Sequence, residues 1–255
     1  MKKYHFVFDK TKKAISFKKH ILKKFINYSP QKAECIVVSG GDGFMLNSLK
    51  KYYKFNLPFY GVNCGTFGFL MNKLKLNLLN QEINKAKKII INPLQINANY
   101  NKQKKKLIAI NEVSLFRQSR QTASLRLTIG KKTIIKKLIG DGILISTPAG
   151  STAYNLSVHG PILSLNSGKL AVTPISPFRP RRWKGKTISN KLTIKVKNLD
   201  PRKRPIAAVA DNIELRNIKS IKVKINKKIR ISLLHNKNKS LVKRIKLEQL
   251  YKNIK

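Results

Sequence analysis

Acidic residues are scarce in this chain. Asp and Glu together number 10 against 55 Lys and Arg, a formal charge of +45 over 255 residues. A balance of this kind first suggests nucleic acid or another anionic surface as a partner. Cysteine is nearly absent, with only Cys35 and Cys64. One lies inside an apolar run and the other in a glycine loop, which excludes a disulfide scaffold and suits a reducing compartment, so a cytoplasmic protein is expected. Long hydrophobic runs are missing as well. None approaches the roughly 18 residues that span a bilayer. The apolar stretch of the N-terminal MKKYHFVFDK is too short for a signal peptide, and Asp9 interrupts it.

What is present is ordinary for a soluble globular chain: 42% apolar and 25% charged residues, which excludes a mostly disordered or collagen-like protein. The length suits one large domain or two small ones. Lysines run along the whole sequence on what read as solvated helix and strand faces, and Asn and Ile are abundant beside them. That mixture fits A/T-biased coding better than a nucleic-acid groove, whose footprint requires clustering. No dedicated nucleic-acid partner and no membrane partner are expected.

The first part of the chain reads as α/β. Residues 4–8 form a short apolar run. Over 12–28, Ala14, Phe17, Ile21, Phe25 and Tyr28 recur at three- and four-residue steps with lysines opposite, which predicts an amphipathic helix. Residues 35–39 predict a buried strand, followed by Gly40-Gly41-Asp42-Gly43 and a second helix carrying Met45, Leu46, Leu49, Tyr52 and Tyr53. Residues 57–62 predict a strand running into Asn63–Gly68, and 74–88 a helix. Such alternation implies a parallel sheet with functional loops at its strand C-termini. Near Pro93 the period changes to two, as in 192–197 and 221–225, which predicts a mostly-β, sandwich-like part. The expected division is 1–92 α/β and 93–239 all-β, with a helical 240–255 packing back on the first.

With so few acids, their addresses are informative. Asp42 and Asp141 are each flanked by glycines, Glu112 follows Asn111 in a strand, and Asp211 sits in a β segment. Glycines let a backbone approach phosphate, and a following helix offers N–H groups and a positive dipole end. A carboxylate in that loop repels phosphate unless a metal or hydroxyl intervenes, so Asp42 suits accepting a proton from an attacking hydroxyl or helping to place a metal. The plain alternative is a βα turn with Asp42 as helix N-cap. A second glycine loop spans Gly61–Leu70; its spacing is not that of a dinucleotide fingerprint. A third block, Gly140–Ser157, runs a strand into a hydroxyl-rich turn in which Tyr154 can flank a ring.

Taken together, GGDG at 40–43, GVNCGTFGFL at 61–70, NEV at 111–113, GDGILISTPAGSTAYNLS at 140–157 and GPIL at 160–163 resemble the bacterial-type NAD kinase family (ATP/polyphosphate-dependent). The resemblance covers about residues 34–215 and includes TPISPFRPRRW at 173–183. It implies an α/β N-terminal domain, a β-sandwich-like C-terminal domain and an active site between them. It also implies transfer of the γ-phosphoryl of ATP to the 2′-hydroxyl of the adenosine ribose of NAD, giving NADP. Asp42 would be the proton acceptor. The implied NAD-binding positions are Asp42, Gly43, Asn111, Glu112, Asp141, Ala149, Thr152, Ala153, Tyr154, Asn155, Leu156 and Ser157. Mg²⁺ would accompany the nucleotide, with no dedicated protein metal ligands assigned, and the assembly would be a homodimer or homotetramer.

The chain departs from that pattern at four places. Asn47 stands where the family often has Arg or His contacting phosphate, Ile139 where a basic or polar residue often precedes the GDG aspartate, His159 where Gly is usual, and Ile213 where Gln often follows Asp211. Two other readings compete: a GGDG-type kinase for another hydroxyl, and a degenerate basic RNA-associated protein on a kinase scaffold.

Overall fold

The computed structural model describes residues 2–65, 68–73, 76–101 and 103–236. The chain splits into two compact units, one built from residues up to 91 plus those from 229 onward, the other from 92–228.

In the first unit β1 (Tyr4–Phe8), α1 (Lys12–Ile21), β2 (Cys35–Gly40), α2 (Asp42–Tyr52), β3 (Phe59–Asn63), α3 (Leu79–Lys85) and β4 (Lys87–Ile91) follow in order. Helix α1 buries Ala14, Phe17 and Ile21, is capped by the Thr11 hydroxyl accepting from Ala14 N, and carries Lys18, Lys19 and His20 at its negative dipole end. It stops at Ile21, short of the expected residue 28. The amides of Lys24 and Phe25 turn back onto the Ile21 carbonyl. Phe25 still packs edge-on against Tyr4, so the apolar spacing continues past the helix as core packing. All six residues of β2 are buried, as a central parallel strand requires. Burial pushes the Cys35 thiol in that strand up to about 12, far from a reactive thiolate. Of the helix expected over 74–88, the described part is a short turn at Leu76–Leu78 and α3; the β-branched Ile89-Ile90-Ile91 run takes the chain into β4 instead.

The second unit contains β5 (Leu94–Tyr100), β6 (Gln103–Ala109), β7 (Glu112–Arg117), β8 (Ala123–Ile129), β9 (Lys132–Gly140), β10 (Gly142–Ser146), α4 (Tyr154–Ser157), β11 (Lys169–Ile175), β12 (Lys186–Ser189), β13 (Ile194–Asn198), β14 (Ile206–Ala210), β15 (Ile213–Leu215) and β16 (Ile218–Ile225). They form two six-stranded sheets, ordered β12-β11-β10-β7-β14-β15 and β6-β5-β16-β13-β8-β9. One apolar core joins them, with Val113, Leu115, Ile143 and Ile145 from the first sheet and Leu94, Ile96, Ile194 and Val196 from the second. This is the sandwich the period-two runs imply.

The last described strand, β17 (Ile231–His235), belongs to the first unit. The sheet order there is β1-β2-β3-β17-β4, with β1, β2, β3 and β17 parallel and β4 antiparallel. Sequence reading places 231–235 in the all-β part, because a short apolar run reads the same in either sheet. The helix expected over 240–255 lies outside the described residues. Among the described residues no helix is long and apolar enough to cross a membrane.

Candidate functional site

Because β1, β2 and β3 are parallel, their C-terminal ends emerge along one sheet edge. Phe8 lies opposite Ser39, and Gly40 opposite Asn63. The loops that follow are Asp9–Thr11, Gly41–Asp42 and the segment after Asn63, the arrangement in which open α/β sheets bind ligands.

Gly41 is the N-cap of α2, with extended backbone and no side-chain cap, and Asp42 is the first helical residue. The Asp42 side chain instead crosses to the second glycine loop. Its Oδ2 accepts from Phe69 N at 2.7 Å and its Oδ1 from Leu70 N at 3.0 Å. Gly68 sits directly beside it, since a Cβ there would stand 3.1 Å from Oδ1. The GGDG and GFL strings are thus two halves of one device: a half-buried carboxylate held at the mouth of a helix by two backbone amides. Gly43 is exposed, and Asn47 is exposed one turn further along α2. Asp9, which sequence reasoning treated only as an interruption, lies at the same edge; its charge and, before it, burial raise the Cys64 thiol.

In the second unit the segment 110–112 is held from both sides. Asp211 accepts from Ile110 N (2.8 Å), Asn111 N (2.9 Å) and Glu112 N (3.3 Å). Thr147 Oγ1 donates to the Ile110 carbonyl at 2.8 Å and accepts from Gly150 N at 3.1 Å. A methyl at Gly150 would collide with the Asn111 carbonyl, so only glycine lets the 147–152 turn lie this close. The backbone being pinned, the Asn111 side chain is left with a buried Oδ1 that has no hydrogen-bond partner among the described residues, and the same holds for Thr152 Oγ1. Buried polar atoms without partners are rare and call for a ligand or water.

Around them, Arg117 Nε is ion-paired with Asp141 Oδ1. The Tyr154 ring packs on Phe116 at 5.7 Å between centroids. Burial first, then the Asp141 and Glu112 carboxylates, push the Tyr154 hydroxyl above the ordinary tyrosine range, so at neutral pH it is a proton donor. The unit therefore brings Asn111, Glu112, Asp141, Thr152 and Tyr154 into one neighbourhood. Ala149 is buried at the entrance of the turn, while Ala153 and Leu156 are half-buried and Ser157 exposed. Asn155 is fully buried, and its side chain joins Ser151 O, Pro161 O and Thr173 Oγ1. Any ligand contact there falls to its backbone. Exposed His159 has φ +61°, a left-handed conformation that explains why glycine suits the position. Asp211, Arg117, Phe116 and Thr147 were not read as site residues. For Asp211 the scarcity of acids was a usable signal; for the others no local pattern existed.

The fold and these two loop systems define a glycine-loop α/β unit, suited to phosphate, joined to a β-sandwich with a polar, ring-flanked site. The family model described as the ATP-NAD kinase C-terminal domain matches residues 110–235. An NAD kinase of Brucella melitensis is 42% identical over 246 residues, covering 96% of each chain, and one of Rickettsia typhi is 44% identical over 245 residues, covering 95% of this chain and 96% of its own. The chain belongs to the NAD kinase family. Among solved structures, a yeast NADH kinase complexed with NADH superposes with a TM-score of 0.80 at 19% identity, covering 100% of this chain and 89% of its own. An NAD kinase from Archaeoglobus fulgidus in complex with ATP gives 0.73 at 20%, covering 99% and 100%. These two likenesses show the shared fold.

Proposed function

We propose that this chain is an NAD kinase that moves the γ-phosphoryl of ATP to the 2′-hydroxyl of the adenosine ribose of NAD, with Asp42 as general base. The observation that carries the reading is the Asp42 carboxylate, fixed by the Phe69 and Leu70 amides at the start of α2. As the ribose oxygen bonds to the γ-phosphorus and the bond to the β-phosphate bridging oxygen breaks, Asp42 takes the hydroxyl proton and ADP leaves. Phosphoryl transfer asks for placement and charge neutralisation rather than covalent work by the protein. Among the described residues no three His, Cys, Asp or Glu side chains gather as a metal cage. Mg²⁺ is typically held by substrate phosphates with one or two carboxylates, and here the triphosphate would hold it. Bound to the triphosphate, it supplies neutralisation of the phosphate charge. The Asn111 amide, the Glu112 and Asp141 carboxylates and the Thr152–Ser157 turn hold the dinucleotide, with Tyr154 against a ring. Asn47 takes the phosphate-side position on α2. The working form is a cytoplasmic homodimer or homotetramer.

A coupled NADP-formation assay on Asp42→Asn tests this. Proton acceptance by a positioned base is worth roughly 10²–10⁴-fold, so the rate falls at least about a hundredfold while NAD binding persists. Equal rates in the two proteins would remove Asp42 from this role. An assay with diacylglycerol in place of NAD separates a GGDG-type kinase for another hydroxyl.

A further inference from the structure

The lysines that look scattered in sequence converge on one face of the second unit. In β13, Ile194 and Val196 point into the core while Lys195 and Lys197 point out. Register then fixes their neighbours. One row across five strands reads Thr128, Lys195, Lys222, Asn97, Lys106. The next reads Arg126, Lys197, Ser220, Asn99, Lys104. At sheet spacings the rows are about 7 Å apart and each spans about 19 Å. All six cations are exposed. They line a concavity of about 890 Å³. Among the described residues no Asp or Glu lies on any strand of this sheet.

Two features separate this face from a merely solvated one. Lys195 lies directly opposite Lys222, and Lys197 directly opposite Arg126, pairings that destabilise a sheet. Asn97, between Lys222 and Lys106 in its row, has a buried Oδ1 with no hydrogen-bond partner among the described residues. Opposed cations ask for a polyanion between them. Asn97 and Asn99, which line the concavity among the cations, carry amide carbonyls that can accept from a ribose 2′-hydroxyl, a donor that phosphate oxygens and deoxyribose lack. Among the described residues none that lines it is aromatic, so they offer no stacking platform of the kind that holds single strands.

We propose that this sheet face binds double-stranded RNA through its phosphates and 2′-hydroxyls, independently of base sequence and of the proposed kinase site. Six neutralised phosphates give a slope of about −5 for log K against log salt.

The test uses the full chain, fluorescence anisotropy and a 20-base-pair RNA duplex, with the same sequence as DNA duplex and as single-stranded RNA. The variant Lys195→Gln/Lys197→Gln/Lys222→Gln is compared with Lys12→Gln/Lys19→Gln/Lys23→Gln, which removes as many exposed cations from α1 and its C-terminal flank. The expected result is tightest binding to the RNA duplex. In the sheet variant the salt slope shrinks by about three and affinity at ~0.15 M salt drops about a hundredfold, while the control stays within about threefold. NADP formation by the sheet variant and its mass by sedimentation equilibrium match the parent. Equal loss in both variants would reduce the effect to overall charge and overturn the proposal. So would equal binding of DNA, tighter binding of single strands, or a mass change that assigns the face to a second copy of this chain.

Discussion

Asp211 and Asp42 do the same physical work in different units: each carboxylate gathers backbone amides from a distant stretch and sets that stretch in place. For Asp42 the sequence signal was strong, because an acid between glycines before a helix is a chemically loaded position. Its partners, 27 and 28 residues away, were not legible, since nothing local in residues 69–70 announces an acceptor for their amides. Asp211 stood out only as one of few acids. Its partners lie about 100 residues upstream, and it holds φ +52°, a conformation that Asp adopts more readily than most residues. Removing that carboxylate strands three amides, two of them on the buried Ile110 and Asn111. Each buried, unsatisfied group costs about 1–3 kcal/mol. Asp211→Ala is therefore expected to destabilise by about 3 kcal/mol in urea unfolding at unchanged m. With Asn111 holding the dinucleotide as proposed, NAD binding weakens as well, because its side chain loses its fixed backbone. A stability change below about 0.5 kcal/mol would show that the amides find other partners.

Among the elements, those whose signal is local were legible: β1, β2, α2 and the alternating strands of the sandwich carry their period in their own residues. The assignment of β17 was not local. Ile-Ser-Leu-Leu-His can take a place in either sheet, and only its partners decide; Leu233 lies opposite Phe59 on β3 and Ile89 on β4. This strand closes the first unit by joining β3 to β4, and Leu233 is 1% exposed. Asn72 ties it further, donating to the Leu234 carbonyl at 2.9 Å and accepting from Asn236 N at 3.1 Å. Leu233→Ala should cost about 2–5 kcal/mol, as buried Leu truncations do. Hydrogen exchange locates the effect: protection falls in β3, β4 and β17 ahead of β7 and β10. Equal loss in both units would contradict a core that ends at the unit's own sheet.

For the whole molecule, the question is what a charge of +45 does to stability. Lysines 27 residues apart in sequence, such as Lys195 and Lys222, become directly opposed neighbours on folding, about 5 Å between Cβ atoms. The unfolded chain keeps such charges far apart, so self-repulsion acts mainly on the native state. At ~0.01 M salt the screening length is about 30 Å, and a cation feels many others; at ~0.5 M it is only a few ångströms, and even opposed pairs are partly shielded. Raising sodium chloride across that range should raise the thermal midpoint by about 5 °C, the change expected for roughly 2 kcal/mol in a chain of this size. Chloride is the right salt, since sulfate strengthens apolar burial by exclusion and would confuse the two effects. The Lys195→Gln/Lys197→Gln/Lys222→Gln variant isolates the pairs: its midpoint lies above the parent's at low salt and the gap closes as salt rises. A midpoint that ignores salt would mean that the lysines stay extended into water, where pairs contribute little. The sheet face would then be one more solvated surface rather than a concentrated field.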